Sequence, residues 1–142
     1  QVAVINLKSG SVSQAFAFDK PCEGVGYLEL AMYSGEDLLS ENFHIEGSVP
    51  EDYPKATLRV GGEVNSTPDG WSITYLIENL GDVPALMLCA RVDDPDGEAV
   101  LPVFWSDNYI SLLPGEKKVL TAEVDKADCP HIPQVSITGL NL

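Results

Sequence analysis

The sequence predicts an all-β chain, an antiparallel immunoglobulin-like β-sandwich preceded by a partial β-sandwich. Three observations carry that prediction. Apolar residues recur at every second position, the period of a half-buried strand, and helical spacing is almost absent. Turn dipeptides with a mechanism (Ser34-Gly35, Asp69-Gly70, Asp96-Gly97, Pro114-Gly115) separate the alternating runs, because Gly supplies positive φ and Pro presets the preceding turn position. Finally, 12 Gly and 10 Pro are spread along 142 residues, which leaves no stretch for a long helix.

Taken in order, strands are expected near residues 2–7, 12–18, 25–33 and 38–45. In the third of these, Leu28, Leu30 and Met32 share one face, with Tyr27, Glu29, Ala31 and Tyr33 on the other. Residues 1–48 thus hold four strands, enough for one sheet with an apolar face but not for a closed two-layer core. Residues 49–54, with two prolines and two acids, form a linker, since Pro resists sheet pairing and acids favour solvent. A second set follows near 56–65, 71–79, 84–93, 98–105, 109–112, 116–124 and 134–139. Seven strands across residues 55–142 match the size of an immunoglobulin-like sandwich. Trp71, Ile73, Tyr75, Leu86, Leu88, Val92, Val103, Leu120, Val124, Val135 and Ile137 are its expected core. In residues 1–48, Phe16, Phe18, Leu28, Leu30, Met32, Phe43 and Ile45 give an apolar face lacking its partner sheet, which favours self-association.

Eight Lys+Arg against 22 Asp+Glu give a net charge of −14, and 44% of residues are hydrophobic. That apolar fraction argues against an acidic disordered chain. The charge argues against nucleic acid, whose phosphates need Lys and Arg to displace counterions. No apolar run approaches the roughly 18 residues of a membrane helix, and no basic region precedes one, so no membrane contact is expected. Cys22, Cys89 and Cys129 make an odd count and a poor disulfide framework, and their spacing with His44 and His131 does not resemble a zinc site.

Candidate chemistry is sparse. His44 and His131 belong to no triad spacing, and no nucleophile elbow, zinc-protease motif or phosphate loop is present. In Asp93-Asp94-Pro95-Asp96-Gly97-Glu98 the acids at 94, 96 and 98 alternate as calcium ligands do. The positions that should hold Gly and Glu hold Ala99 and Trp105, so a hairpin turn is the better reading. Asn65-Ser66-Thr67 fits a glycosylation sequon and reads first as a polar turn. No metal or cofactor is expected. The most distinctive segment is 101–116, where Trp105 and Tyr109 flank Ser106-Asp107-Asn108. Trp105, Asp107, Asn108 and Tyr109 suit a sugar-binding platform of aromatic faces beside amide and carboxylate. The aromatics also suit a core, with Asp107 and Asn108 holding a corner of the sandwich, and on residue properties this structural reading is preferred.

The stretch LPVFWSDNYISLLPGEKKVLTAEV resembles the C-terminal immunoglobulin-like domain of family 2 glycoside hydrolases of the β-mannosidase and exo-β-glucosaminidase type. SGSVSQAFAFD and YLELAMYSGEDLLSENFHIEG resemble the closing strands of the sandwich domain that precedes it in that family. The usual Leu-Pro-Lys entry to the last domain stands here as Tyr53-Pro54-Lys55. The resemblance implies a non-catalytic accessory module that packs against a catalytic (β/α)₈ barrel, whose glutamates lie outside this chain. It also implies a glycan as partner and a periplasmic or extracellular setting. Gln1-Val2-Ala3-Val4 opens directly in an alternating run, as expected of a chain cut from a longer one. A free-standing carbohydrate- or protein-binding sandwich is the alternative.

Overall fold

The computed structural model describes residues 1–17 and 24–142. Among these residues there is no helix, and the chain divides into two compact units, Gln1–Pro50 and Glu51–Leu142.

The first unit is built on an antiparallel hairpin of β1 (Gly26–Ser34) and β2 (Asp37–Glu46). Its two-residue loop is Gly35-Glu36. Gly35 has φ 63°, a positive value at the first loop position that matches the right-handed twist of the two strands. The register pairs Leu28 with His44, Leu30 with Asn42 and Met32 with Ser40, so these six share one face. Tyr27, Phe43 and Ile45 lie on the other, where the Tyr27 and Phe43 rings stand 5.9 Å apart. The expected single apolar face is therefore corrected, because cross-strand pairing divides its members between the two sides. Residues 2–7 and 12–17 are not strands either. Alternation marks a face that could be buried, but a strand also needs a neighbour for its N–H and C=O groups. This segment joins no β-ladder among the described residues and carries a local turn, Ser11 N–H donating to Lys8 O at 3.0 Å. Phe18, at the end of the second expected strand, and Cys22 lie outside the described residues.

The second unit is a two-layer sandwich. One sheet has the order β3 (Leu58–Ser66), β4 (Gly70–Asn79), β8 (Lys117–Asp125), β6 (Phe104–Trp105); the other runs β7 (Ile110–Leu112), β5 (Ala85–Asp93), β9 (Gln134–Thr138). All pairings are antiparallel. Alternation does what the sequence predicts. Ile73 and Ile77 of β4 and Leu120, Ala122 and Val124 of β8 face Ala85, Leu88, Ala90 and Val92 of β5, all buried. Leu86 is buried too, but the register shift between Ala85 and Leu88 puts Ala85 in the core position expected of it. At roughly 1.5–3 kcal/mol for each large side chain, this burial is the main stabilising term. Trp71, Tyr75, Val103, Val135 and Ile137 pack at its margin, and the Trp71 indole N–H donates to Cys129 O at 2.8 Å. Gly70 is required by close approach: a Cβ there would stand 2.0 Å from Val124 O on the neighbouring strand.

One expected strand is largely lost. Residues 98–105 keep a single bridge, Asp93 to Ala99, and the short β6. Val100 turns into the core with its N–H on Val92 O, and Pro102, which has no N–H to offer a ladder, is exposed. The acidic segment is the hairpin turn, since Asp94 Oδ1 accepts from the N–H groups of Asp96 and Glu98, both at 2.9 Å. The described residues contain no group of three His, Cys, Asp or Glu placed to hold a metal.

Buried asparagines close the sandwich ends. Asn79 donates to Val83 O and Leu112 O and accepts from Gly81 N–H. Asn141 accepts from Leu86 N–H at 2.9 Å and donates to Pro54 O and Pro84 O at 2.9 Å each, tying β5 to the segments that lead into β3 and β5. Removing such a group leaves buried backbone donors and acceptors unpaired. Asn141→Ala is expected to cost about 3 kcal/mol in urea unfolding. Exposed Asn65→Ala should stay within about 0.5 kcal/mol of the parent.

Candidate functional site

The segment from Phe104 to Leu112 leaves one sheet as β6 and enters the other as β7, so its corner bridges the two layers. Adjacent strand residues point to opposite sides. Trp105, paired with Ala122, turns inward and packs against both halves of the core. Phe104, paired with Glu123, turns outward and is 82% exposed.

The polar triplet then makes the turn. Ser106 N–H donates to Thr121 O at 2.7 Å, and Ser106 Oγ accepts from Thr121 N–H at 3.0 Å. Asp107 accepts from Asn108 N–H through Oδ1 and from Lys118 Nζ through Oδ2, at 2.8 and 2.6 Å. Asn108 Oδ1 accepts from Ala90 N–H at 2.8 Å while its Nδ2 donates to Ala90 O at 2.9 Å. Its side chain thus takes the place of a neighbouring strand along β5. Asn108 Oδ1 also accepts from Tyr109 N–H at 2.9 Å, and Tyr109 sits at φ 56°. In that left-handed conformation Tyr109 is 64% exposed. The structure therefore separates the four candidate residues: Trp105 and Asn108 pack inward, Asp107 is ion-paired at the rim, and Tyr109 faces out. A hydrogen bond with the Cys89 thiol, and then the charge of Cys89, hold the Tyr109 phenol above its ordinary range.

Sequence reasoning passed over a second feature. Beside the corner, on the outer face of the β3–β4–β8–β6 sheet, lies an open groove of about 400 Å³ lined by Ser72, Thr74, Phe104, Trp105, Ser106, Thr121, Ala122 and Glu123. The signal was present: with Trp105 inward, strand alternation puts Phe104 outside. His44 lies in the hairpin, opposite Leu28, and His131 offers its carbonyl to the Cys129 thiol at 3.1 Å. Cys89 and Cys129 are free thiols.

The Tyr109 contact gives a titration test. A raised phenol pKa means that the folded state holds the proton more tightly than the unfolded chain. Any stability this confers is present below the ordinary tyrosine pKa of about 10 and is lost as pH rises through the higher folded value. Ultraviolet titration of tyrosinate should show one late-ionising residue, which Cys89→Ala returns towards the ordinary range.

Comparison with known proteins agrees with this architecture. The family described as the exo-β-D-glucosaminidase Ig-fold domain matches residues 51–142. An exo-β-D-glucosaminidase from Amycolatopsis orientalis is 41% identical over 88 residues, covering 58% of this chain and 8% of the relative. One from Hypocrea jecorina is 39% identical over 82 residues, again covering 58% of this chain and 9% of the relative. The chain thus spans under a tenth of the curated relatives it matches. Among solved structures, the Amycolatopsis orientalis exo-chitosanase CsxA superposes with a TM-score of 0.63 at 26% identity, over 73% of this chain and 16% of that one. CsxA in an inhibitor study gives 0.61 at 28% identity, over 81% and 14%. Through its second unit, this chain belongs to the exo-β-D-glucosaminidase Ig-fold domain family.

Proposed function

We propose that the chain is a non-catalytic accessory module of a glycan-degrading glycoside hydrolase, packing against the catalytic barrel of that enzyme. The observation that carries this reading is the family match over residues 51–142, in relatives of which the matching segment is under a tenth. Those relatives are named exo-β-D-glucosaminidases, which favours an amino-sugar glycan over a mannoside for the parent enzyme. Hydrolysis of a glycosidic bond ordinarily uses two carboxylates flanking it, and the groove beside the corner is lined by one, Glu123. A secreted setting, periplasmic or extracellular, follows from this reading.

In this reading residues 1–48 are the closing strands of a preceding sandwich domain and 49–54 the linker. Two observations support it: the hairpin carries apolar side chains on both faces, and CsxA superposes on a larger share of the chain than residues 51–142 make up. Within the corner, Tyr109 is the substrate-facing residue, held by Asn108 behind it, with Asp107 at the rim and Trp105 as the anchor in the core.

The purified chain should not turn over an aryl β-D-glucosaminide. Turnover that survives purification and disappears on substitution of one of its own carboxylates overturns the accessory reading. Light scattering should show a mass that rises with concentration, as uncovered hairpin faces pair between copies, and Leu30→Glu with Met32→Glu should lower it. A monomer at every concentration contradicts the claim that these faces need a cover.

A further inference from the structure

We propose that the outer face of the β3–β4–β8–β6 sheet is a binding site for a protonated amino-sugar chain, centred on Phe104 and Glu123. The identity of the ligand rests on the accessory-module reading; the site itself rests on what the sheet presents. The register sets Phe104, Glu123, Ser72 and Asn65 side by side across four strands, with Thr121, Thr74 and Glu63 in the next row. Neighbouring strands lie about 4.8 Å apart, so the first row crosses about 14 Å of surface and the second about 10 Å. At one end stands the exposed Phe104 ring, forming a wall of the groove, with the Glu123 carboxylate on the adjacent strand. Glu123 has no ion pair or side-chain hydrogen bond among the described residues, unlike Asp107, Asp93 and Glu78 of the same unit.

This set of groups matches one chemistry. An aromatic face beside an unpaired carboxylate attracts an ammonium group through the ring quadrupole and direct charge. The ring also stacks on the apolar C–H face of a pyranose, while the hydroxyls of Ser72, Thr74 and Thr121 can donate to and accept from sugar hydroxyls. A neutral or N-acetylated glycan would use the hydroxyls and the ring but leave Glu123 desolvated without a counter-charge. The net charge of −14 adds a long-range field that raises the local concentration of a polycation.

The test uses the 142-residue chain, amide-resolved NMR and calorimetry, with a fully deacetylated glucosamine hexamer and its N-acetylated counterpart as probes at mildly acidic pH. The deacetylated probe should shift the amides of residues 72, 74, 104, 121 and 123 and bind better than the acetylated one. Its affinity should fall as pH rises and the amine loses its proton. Glu123→Gln should weaken it and abolish the preference, and Phe104→Ala should weaken both probes, each by about three- to tenfold. Both positions are on the outer face, and unchanged thermal unfolding shows that the variants are folded. Equal affinity for the two probes, shifts centred on Tyr109 instead, or no binding at millimolar probe overturns the proposal. No binding is also the outcome if another domain of the parent enzyme is what this face is built to meet. Hydrolysis of an aryl glucosaminide is read separately, so failure of this site and failure of the accessory reading are told apart.

Discussion

β5 is the central strand of its sheet, and its buried backbone donors and acceptors must find partners there. The ladders alone do not supply them. β7 meets β5 only at Ala85 and Leu88, with a register shift between, and β9 pairs from Cys89 onward. Side chains and loop backbone complete the rest: Asn141 takes Leu86 N–H, Ser111 Oγ takes Met87 N–H, Asn108 takes both groups of Ala90, and Val100 N–H reaches Val92 O. An unpaired buried peptide group costs about 1–3 kcal/mol, comparable with burying one large apolar side chain. The crossing from β6 to β7 is therefore possible because Asn108 stands in for the strand that has left. That crossing in turn places Trp105 between the two halves of the core and Tyr109 outside it.

Much of this was legible in the sequence, because burial follows period 2. Ile73, Leu88, Leu120 and Val124 are inward where alternation put them, and the polar triplet after Trp105 does make a corner. What was not legible depends on partners distant in sequence. Alternation over 98–105 could not show that Val100 would leave the ladder or that Phe104 would keep only a two-residue strand. Met87 at φ 51° marks the irregular register through which both Ala85 and Leu86 become buried, and no turn residue announces it. Asn79 and Asn141 read as ordinary polar residues; only the fold shows that they replace missing ladder bonds. In the first unit, the alternation of Val2, Val4 and Val12 resembled strands, yet a strand exists only beside another.

The candidate site was half legible for the same reason. The aromatic pair flanking Ser106-Asp107-Asn108 suited both a core and a platform, and the structure divides it, Trp105 to the core and Tyr109 to the surface. The ring left facing solvent beside a carboxylate is Phe104, which owes its outward position to the inward turn of Trp105. One constraint, satisfaction of the β5 backbone, thus connects the packing of the sandwich to both surfaces that carry a functional proposal.

Native-state hydrogen exchange tests that constraint most directly. Leu86 and Ala90 amides are bonded to asparagine side chains and not to a strand. If those side chains replace the ladder, both amides exchange as slowly as the central amides of β4 and β8, and only through global unfolding. Exchange of Leu86 and Ala90 at the rate of exposed loop amides, while β4 and β8 stay protected, would contradict the account.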